Sequence, residues 1–292
     1  MTDIVPLDAS WLATHRLPTV ETASDKNGKG RVLLIGGARF VPGALALTGE
    51  AILRVGAGKL QMATVEAVAL ALGVLVPEAA MVGLPMREDG EIAPEAVALI
   101  ADLVSRCDIL LAGPGMSATA DTSELVKGLI DLSPPTLLLD AAALTCAKLS
   151  DLASAASRRP LVLTPHYGEM ARLMDCSPDV VAANPAAMVR EIVRLTNAVV
   201  ALKGSETWIG GPGVSLLHYT GGCPGLGIGG SGDVLAGIIG GLIARGTPPF
   251  VATAWGVALH GAAGRQAAQD IGTTGFLARE LLPRLPRLLD TL

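Results

Sequence analysis

Aromatic side chains are scarce: three Trp, two Tyr and three Phe in 292 residues. A core for a chain of this length must then be built from Ala, Val, Leu and Ile, which suits a parallel sheet covered by helices. Basic residues are not in excess. A net charge of −5 argues against a nucleic-acid surface. The four cysteines, Cys107, Cys146, Cys176 and Cys223, stand far apart and form no Cys-x-x-Cys pair. Neither a zinc site nor a disulfide framework is indicated, and free thiols in a reducing, cytoplasmic compartment are expected. Residues 1–10 carry two aspartates and no apolar run, unlike a secretory signal.

Uninterrupted hydrophobic spans are also missing. Residues 67–84 are broken by Pro77-Glu78, and residues 228–244 contain Asp233 among several glycines. A membrane helix needs ~20 apolar residues in a row, so both segments are expected in the interior. There is no Ser–His–Asp order, no cluster with metal-ligand spacing and no complete Gly-x-Gly-x-x-Gly with its distal acid.

What the chain does contain is a regular alternation. Short apolar runs at 31–35, 59–64, 80–84, 108–112, 136–139, 161–163 and 198–202 read as strands. Helical patterns at 42–55, 94–106, 121–132, 168–174 and 185–196 lie between them, and two more follow at 250–269 and 277–289. A hairpin is expected at 207–209 and 214–218, around Gly210-Gly-Pro-Gly213. No linker or repeat divides the series. The expectation is one doubly wound α/β domain over 31–292, its mostly parallel sheet covered by helices on both faces, with residues 1–30 as a lead-in that has room for a short helix near Trp11. Gly36-Gly37, Gly113-Pro-Gly115, Asp140, Thr164-Pro-His166 and Lys203-Gly204 all follow strands. In open α/β sheets the carboxyl ends of the strands line the ligand crevice.

One stretch organises the rest, Gly225-Leu-Gly-Ile-Gly-Gly-Ser-Gly-Asp233 running into the apolar residues 234–244. A glycine-rich turn into a helix start presents free N–H groups and the positive end of the helix dipole, which is an anion site. Asp233, in the first turn beside that cradle, is placed to activate a hydroxyl near a phosphoryl group.

The string Gly229-Gly-Ser-Gly-Asp-Val-Leu-Ala-Gly-Ile-Ile239 resembles the glycine–Asp signature of the ribokinase-like superfamily. Within it the likeness is to the ADP/ATP-dependent (S)-NAD(P)H-hydrate dehydratases. Gly113-Pro-Gly115, Thr164-Pro-His-Tyr-Gly-Glu169 with Ala171-Arg-Leu173, Leu202-Lys-Gly-Ser-Glu-Thr207 and Pro42-Gly-Ala44 match that family's motifs in order. Two positions depart from it: Tyr167 stands where proline is usual, and Ala142 replaces the second acid of an Asp-Ala-Asp-Ala-Leu pattern.

The resemblance implies a repair enzyme that dehydrates (S)-NADHX or NADPHX with ADP or ATP as co-substrate. Asp233 is then the catalytic base. Ala44, Gly113, Gly115, His166 and Asp233 hold the hydrated dinucleotide. Lys203, Gly204, Ser205, Glu206, Thr207, Gly229, Gly230, Ser231 and Gly232 hold the nucleotide. Mg²⁺ is expected on charge grounds, with Asp140 as a residue to orient the ion or its waters and no ligand set defined. An NAD(P)HX epimerase is the expected functional partner, since thirty residues are too few to carry one in this chain. The family also implies a homo-oligomer, a tetramer. A small-molecule kinase of the same superfamily, such as a hydroxyethylthiazole or hydroxymethylpyrimidine kinase, shares the cradle and the Asp. A non-catalytic nucleotide-binding module is the third reading.

Overall fold

A computed structural model of the chain describes residues 3–18, 28–132 and 134–292. Its apolar runs pair into one ten-stranded sheet. The strands are β1 (Ile4–Pro6), β2 (Arg31–Ile35), β3 (Lys59–Val65), β4 (Ala80–Leu84), β5 (Ile109–Ala112), β6 (Leu137–Leu139), β7 (Leu161–Leu163), β8 (Val199–Leu202), β9 (Thr207–Gly210) and β10 (Leu216–Tyr219). Their order across the sheet is β1-β10-β9-β8-β7-β6-β5-β2-β3-β4. From β4 to β8 every neighbouring pair is parallel. Strand β9 is antiparallel to both β8 and β10, as a hairpin requires.

The all-apolar strands follow from burial on both faces. Side chains alternate across a strand, so Val32 and Leu34 join one core while Leu33 and Ile35 join the other. Strand β2 has β3 on one side and β5 on the other, so the winding direction reverses there. The crevice of such a sheet opens above that reversal.

Helix Ser231–Ala244 packs into the first core, with every residue from Val234 to Ala244 buried. Gly237 and Gly241 lie four apart, hence on one helix face. A Cβ at Gly237 would strike the Thr48 carbonyl, and one at Gly241 would lie 2.7 Å from the Ile52 carbonyl oxygen. The glycines let this helix press against helix Pro42–Arg54 and so fix the position of the loop before it.

Three expectations need correction. The lead-in is more than that: β1 pairs in parallel with β10. Helix Ala9–Thr14 follows, and the Trp255 indole N–H donates to the His15 carbonyl at 2.7 Å. Residues 19–27 of that segment lie outside the described residues. Residues 67–84 are not wholly interior. Helix Glu66–Leu75 is apolar all round, yet buries only Ala69 and Leu72, leaving Leu70 84% exposed and Val74 and Leu75 open as well. The last expected helix is broken into two 3₁₀ turns, Ala278–Glu280 and Leu282–Arg284, before helix Leu285–Thr291. Pro283 and Pro286 lack the N–H that an unbroken α-ladder would need.

Candidate active site

The loops after β2 and β5 interlock at the reversal. The Gly37 N–H donates to the Pro114 carbonyl at 2.7 Å, and the Gly113 N–H to Ile35 at 3.1 Å. Gly113 has φ +124° and a Cβ there would collide with the Asp140 carbonyl. Gly115 has φ +72°, and its Cβ would lie 2.6 Å from the Val41 carbonyl oxygen and 3.2 Å from the Ala44 side chain. Both positions therefore require glycine. The geometry brings Ala44, Gly113 and Gly115 to one spot.

Beside them lies a buried charged network. Lys203 Nζ donates to Asp140 Oδ1 at 2.7 Å, and the Thr164 hydroxyl donates to the same oxygen at 2.6 Å. Glu169 Oε2 is 4.0 Å from Lys203 Nζ. Burial works against the Lys203 charge, but the Asp140 and Glu169 carboxylates outweigh it and hold its pKa above the ordinary lysine value. Burial, seconded by Asp140, raises the pKa of Glu169 against the pull of Lys203. Lys203 was expected at the nucleotide's phosphates. It lines the cavity there, with its ammonium committed to Asp140.

His166 opens helix Tyr167–Leu173 as its N-cap. Its Nδ1 accepts from the Gly168 N–H at 2.9 Å and the Glu169 N–H at 3.3 Å, while Glu169 Oε2 accepts from the His166 N–H at 2.8 Å. This is a reciprocal capping box. An Nδ1 that accepts leaves the ring proton on Nε2, which lies 3.5 Å from Glu169 Oε1 on a largely exposed ring. Tyr167 sits at the first helical position, where the usual proline would also fit. Its ring covers Gly204, where a Cβ would come within 3.0 Å of it.

The cradle itself is the start of helix Ser231–Ala244. Gly230 caps it at φ +88° with no side-chain bond. Among the described residues, the N–H groups of Gly232 and Asp233 carry no hydrogen bond. They are free for an anion. A Cβ at Gly232 would lie 3.4 Å from Lys203 Nζ, so the cradle abuts the charged network. Burial, then the Asp140 charge, pushes Asp233 up to about 7, although Lys203 opposes the shift.

A cavity of about 840 Å³ lies over the cradle and is lined by Lys203, Gly204, Ser205, Thr207, Ser231 and Gly232. Glu206 does not line it; its carboxylate bonds His218 Nε2 at 2.7 Å. Gly229 and Gly230 shape the turn without lining the cavity. A second cavity, about 540 Å³, lies over β6 and β7 between Ala141, Thr145 and Arg172. His166 lines both. Sequence reasoning missed the roles of Thr164 and Glu169, which have no spacing signal linking them to Lys203. It also missed His260, which lines the larger cavity from helix Pro249–Asp270.

No group of three or more His, Cys, Asp or Glu among the described residues could hold a metal ion. Asp140, the residue expected near Mg²⁺, is bound by Lys203 and Thr164. The described residues thus supply no three-ligand cage.

Comparisons with known proteins identify the family. The family model for NAD(P)H-hydrate dehydratase matches residues 32–287. The ADP-dependent (S)-NAD(P)H-hydrate dehydratase of Xanthomonas campestris pv. campestris is 46% identical over 96% of this chain and 95% of its own length. The bifunctional NAD(P)H-hydrate repair enzyme of Moorella thermoacetica is 36% identical over 98% of this chain, which spans 54% of that longer protein. The ADP/ATP-dependent NAD(P)H-hydrate dehydratase of Bacillus subtilis, crystallised with ATP and Mg²⁺, superimposes with a TM-score of 0.82 at 28% identity, over 94% of each chain. Cradle, Asp233, His166 and the paired glycine turns thus sit in a chain that belongs to the NAD(P)H-hydrate dehydratase family.

Proposed function

We propose that this protein restores NADH and NADPH from their (S)-hydrates, using ADP, or ATP in its place. One observation carries the reading: an open helix start with free Gly232 and Asp233 N–H groups, whose own Asp233 is raised to about 7. An ordinary aspartate is a poor proton acceptor at neutral pH, with a pKa of ~3.9. A value near 7 suits a base that works there.

The ring hydroxyl of the hydrate is a poor leaving group. Asp233 takes its proton as the oxygen attacks the terminal phosphorus of the nucleotide, and the bond to AMP (or to ADP, from ATP) breaks. The cradle N–H groups hold the phosphoryl oxygens during this transfer. Phosphate then leaves the ring carbon, the neighbouring carbon loses a proton, and the dihydronicotinamide of NADH or NADPH is restored. The nucleotide occupies the larger cavity beside Lys203–Thr207. The hydrate spans Ala44, Gly113, Gly115 and His166, with the second cavity available for the rest of the dinucleotide. Mg²⁺, carried by the phosphates and water, would supply charge neutralisation.

ADP is favoured by the name of the Xanthomonas relative, whose (S) label also supports an epimerase as functional partner. The exposed Leu70, Val74 and Leu75 support a homo-oligomer, and the unpaired cysteines a cytoplasmic setting. The test is incubation with hydrated NADH and ADP or ATP, following NADH absorbance and free phosphate together. One phosphate per NADH is expected. Stable phosphorylation of a thiazole or pyrimidine alcohol, with no response to the hydrate, would replace this reading with the kinase one.

A further inference from the structure

Ser231 is the first residue of the cradle helix and lines the larger cavity. Its oxygen lies 3.0 Å from Nε2 of His260, a residue 29 positions along the chain in helix Pro249–Asp270. A hydroxyl has one proton to give. If His260 Nε2 accepted that proton, Ser231 would turn lone pairs toward an incoming phosphoryl group and repel it. If Nε2 carries the ring proton and donates to Ser231 Oγ, the hydroxyl proton is directed into the cradle, in line with the Gly232 and Asp233 N–H groups.

We infer that His260 is a positioning residue for phosphoryl transfer: its Nε2–H fixes Ser231 Oγ as an acceptor and so aims the Ser231 hydroxyl at the transferring phosphoryl group. This rests on the reading of residues 229–232 as the phosphate cradle. Charge permits the arrangement. Burial, opposed by a hydrogen bond with the Ser231 backbone and seconded by the nearby Lys203 ammonium, lowers the His260 pKa to about 4, so the ring stays neutral through the physiological range and keeps one donor nitrogen. The groups facing His260 are Ser231 on the cradle helix and Lys203 on the loop after β8; its own helix brings no carboxylate to the ring. The role is to set direction. His260 does not touch the reacting atoms.

The test uses the full chain and compares His260→Leu, which keeps bulk and loses the donor, with His260→Gln, whose amide N–H reaches nearly the same point. Removing one preorganised donor from a developing oxyanion slows turnover by about 10²–10³. Misdirecting one should cost about tenfold to a hundredfold in kcat. H260L is expected to lose that much, with the KM for ADP changed by less than about threefold, and H260Q to recover most of it. In a Ser231→Ala background H260L should cost nothing further, because the group it directs is gone. Normal kcat in H260L, no rescue by H260Q, or losses that multiply in the double variant would each overturn the inference while leaving the dehydratase reading intact. A wild-type protein that recovers no NADH would sink that reading, and this inference with it.

Discussion

Lys203 Nζ and Asp140 Oδ1 stand 2.7 Å apart, each just past the end of its strand, with the Thr164 hydroxyl on the same oxygen. The pair joins the loop after β6 to the loop after β8 across the floor of the crevice. Three carboxylates, Asp140, Glu169 and Asp233, share this one ammonium. Removing it leaves buried charge uncompensated. Lys203→Met should therefore lower stability by about 3–5 kcal/mol, the cost of breaking a buried pair from one side. It should also raise the Asp233 pKa further, since Lys203 is what lowers it. Denaturant unfolding reads the first effect and the pH–rate profile the second. An unchanged profile would mean that Lys203 does not reach Asp233 electrostatically.

Wild-type activity should rise with pH through about 7, as Asp233 ionises and becomes able to accept a proton. Stability should move the other way. The folded-state pKa of Asp233 is above its unfolded value near 3.8. The folded state thus holds a proton that the unfolded state releases, and the resulting stability is lost as pH rises from about 4 through about 7. Asp233→Asn keeps the shape without the charge. It should abolish turnover yet be more stable than wild type at pH 8, each unit of pKa shift being worth ~1.4 kcal/mol, and show little gain at pH 4. Thermal unfolding at the two pH values decides; equal effects at both would remove the buried charge from the account.

Much of this arrangement was legible beforehand, for physical reasons. Strands buried on both faces are unbroken apolar runs, so β2, β5, β6 and β7 could be found by eye, and glycines at their ends marked the crevice. The turn into helix Ser231–Ala244 was legible as a glycine run, of which Gly230 at φ +88° is the member whose backbone requires glycine. What escaped lacks local signature. Strand β1 is three residues ending in Pro6, held by β10 more than two hundred residues away. Helix Glu66–Leu75 carries no polar face to show which side meets solvent. The partners of Lys203 come from three separate segments, Asp140 after β6, Glu169 in helix Tyr167–Leu173 and Asp233 in helix Ser231–Ala244. His260 is a lone histidine in an alanine-rich helix, and its meaning lies in a hydroxyl on another helix.

Gly232→Ala separates folding from function. The added methyl meets only Lys203 Nζ, at 3.4 Å, and the backbone needs no positive φ there. The fold should accept it, with stability within about 0.5 kcal/mol of wild type. The same methyl would stand beside the free N–H groups proposed to receive phosphate. The kcat/KM for ADP should fall about tenfold or more, at least 1.4 kcal/mol of lost binding to the transition state. Gly230→Ala is the contrast: φ +88° and contact with Leu47 Cδ1 make it a folding variant. If Gly232→Ala keeps full activity, the phosphoryl group does not approach this turn.

His166 has two jobs that one substitution can separate. Nδ1 caps helix Tyr167–Leu173, and the exposed ring, whose Nε2 lies 3.5 Å from Glu169 Oε1, is proposed to donate to the hydrate. His166→Ala removes both. It should cost about 1 kcal/mol of stability through the lost cap, and weaken the hydrate by about 0.5–3 kcal/mol through the lost donor. His166→Asn retains an oxygen where Nδ1 accepted, and asparagine is among the best N-caps. Its stability should return to the wild-type value while the KM for hydrated NADH stays as high as in the alanine variant, and the KM for ADP should hardly move in either. The measurement is a pair of unfolding curves set against KM values for the two substrates. If Asn restores hydrate binding along with stability, the imidazole serves the helix alone, and the dinucleotide must find its donor elsewhere in the crevice.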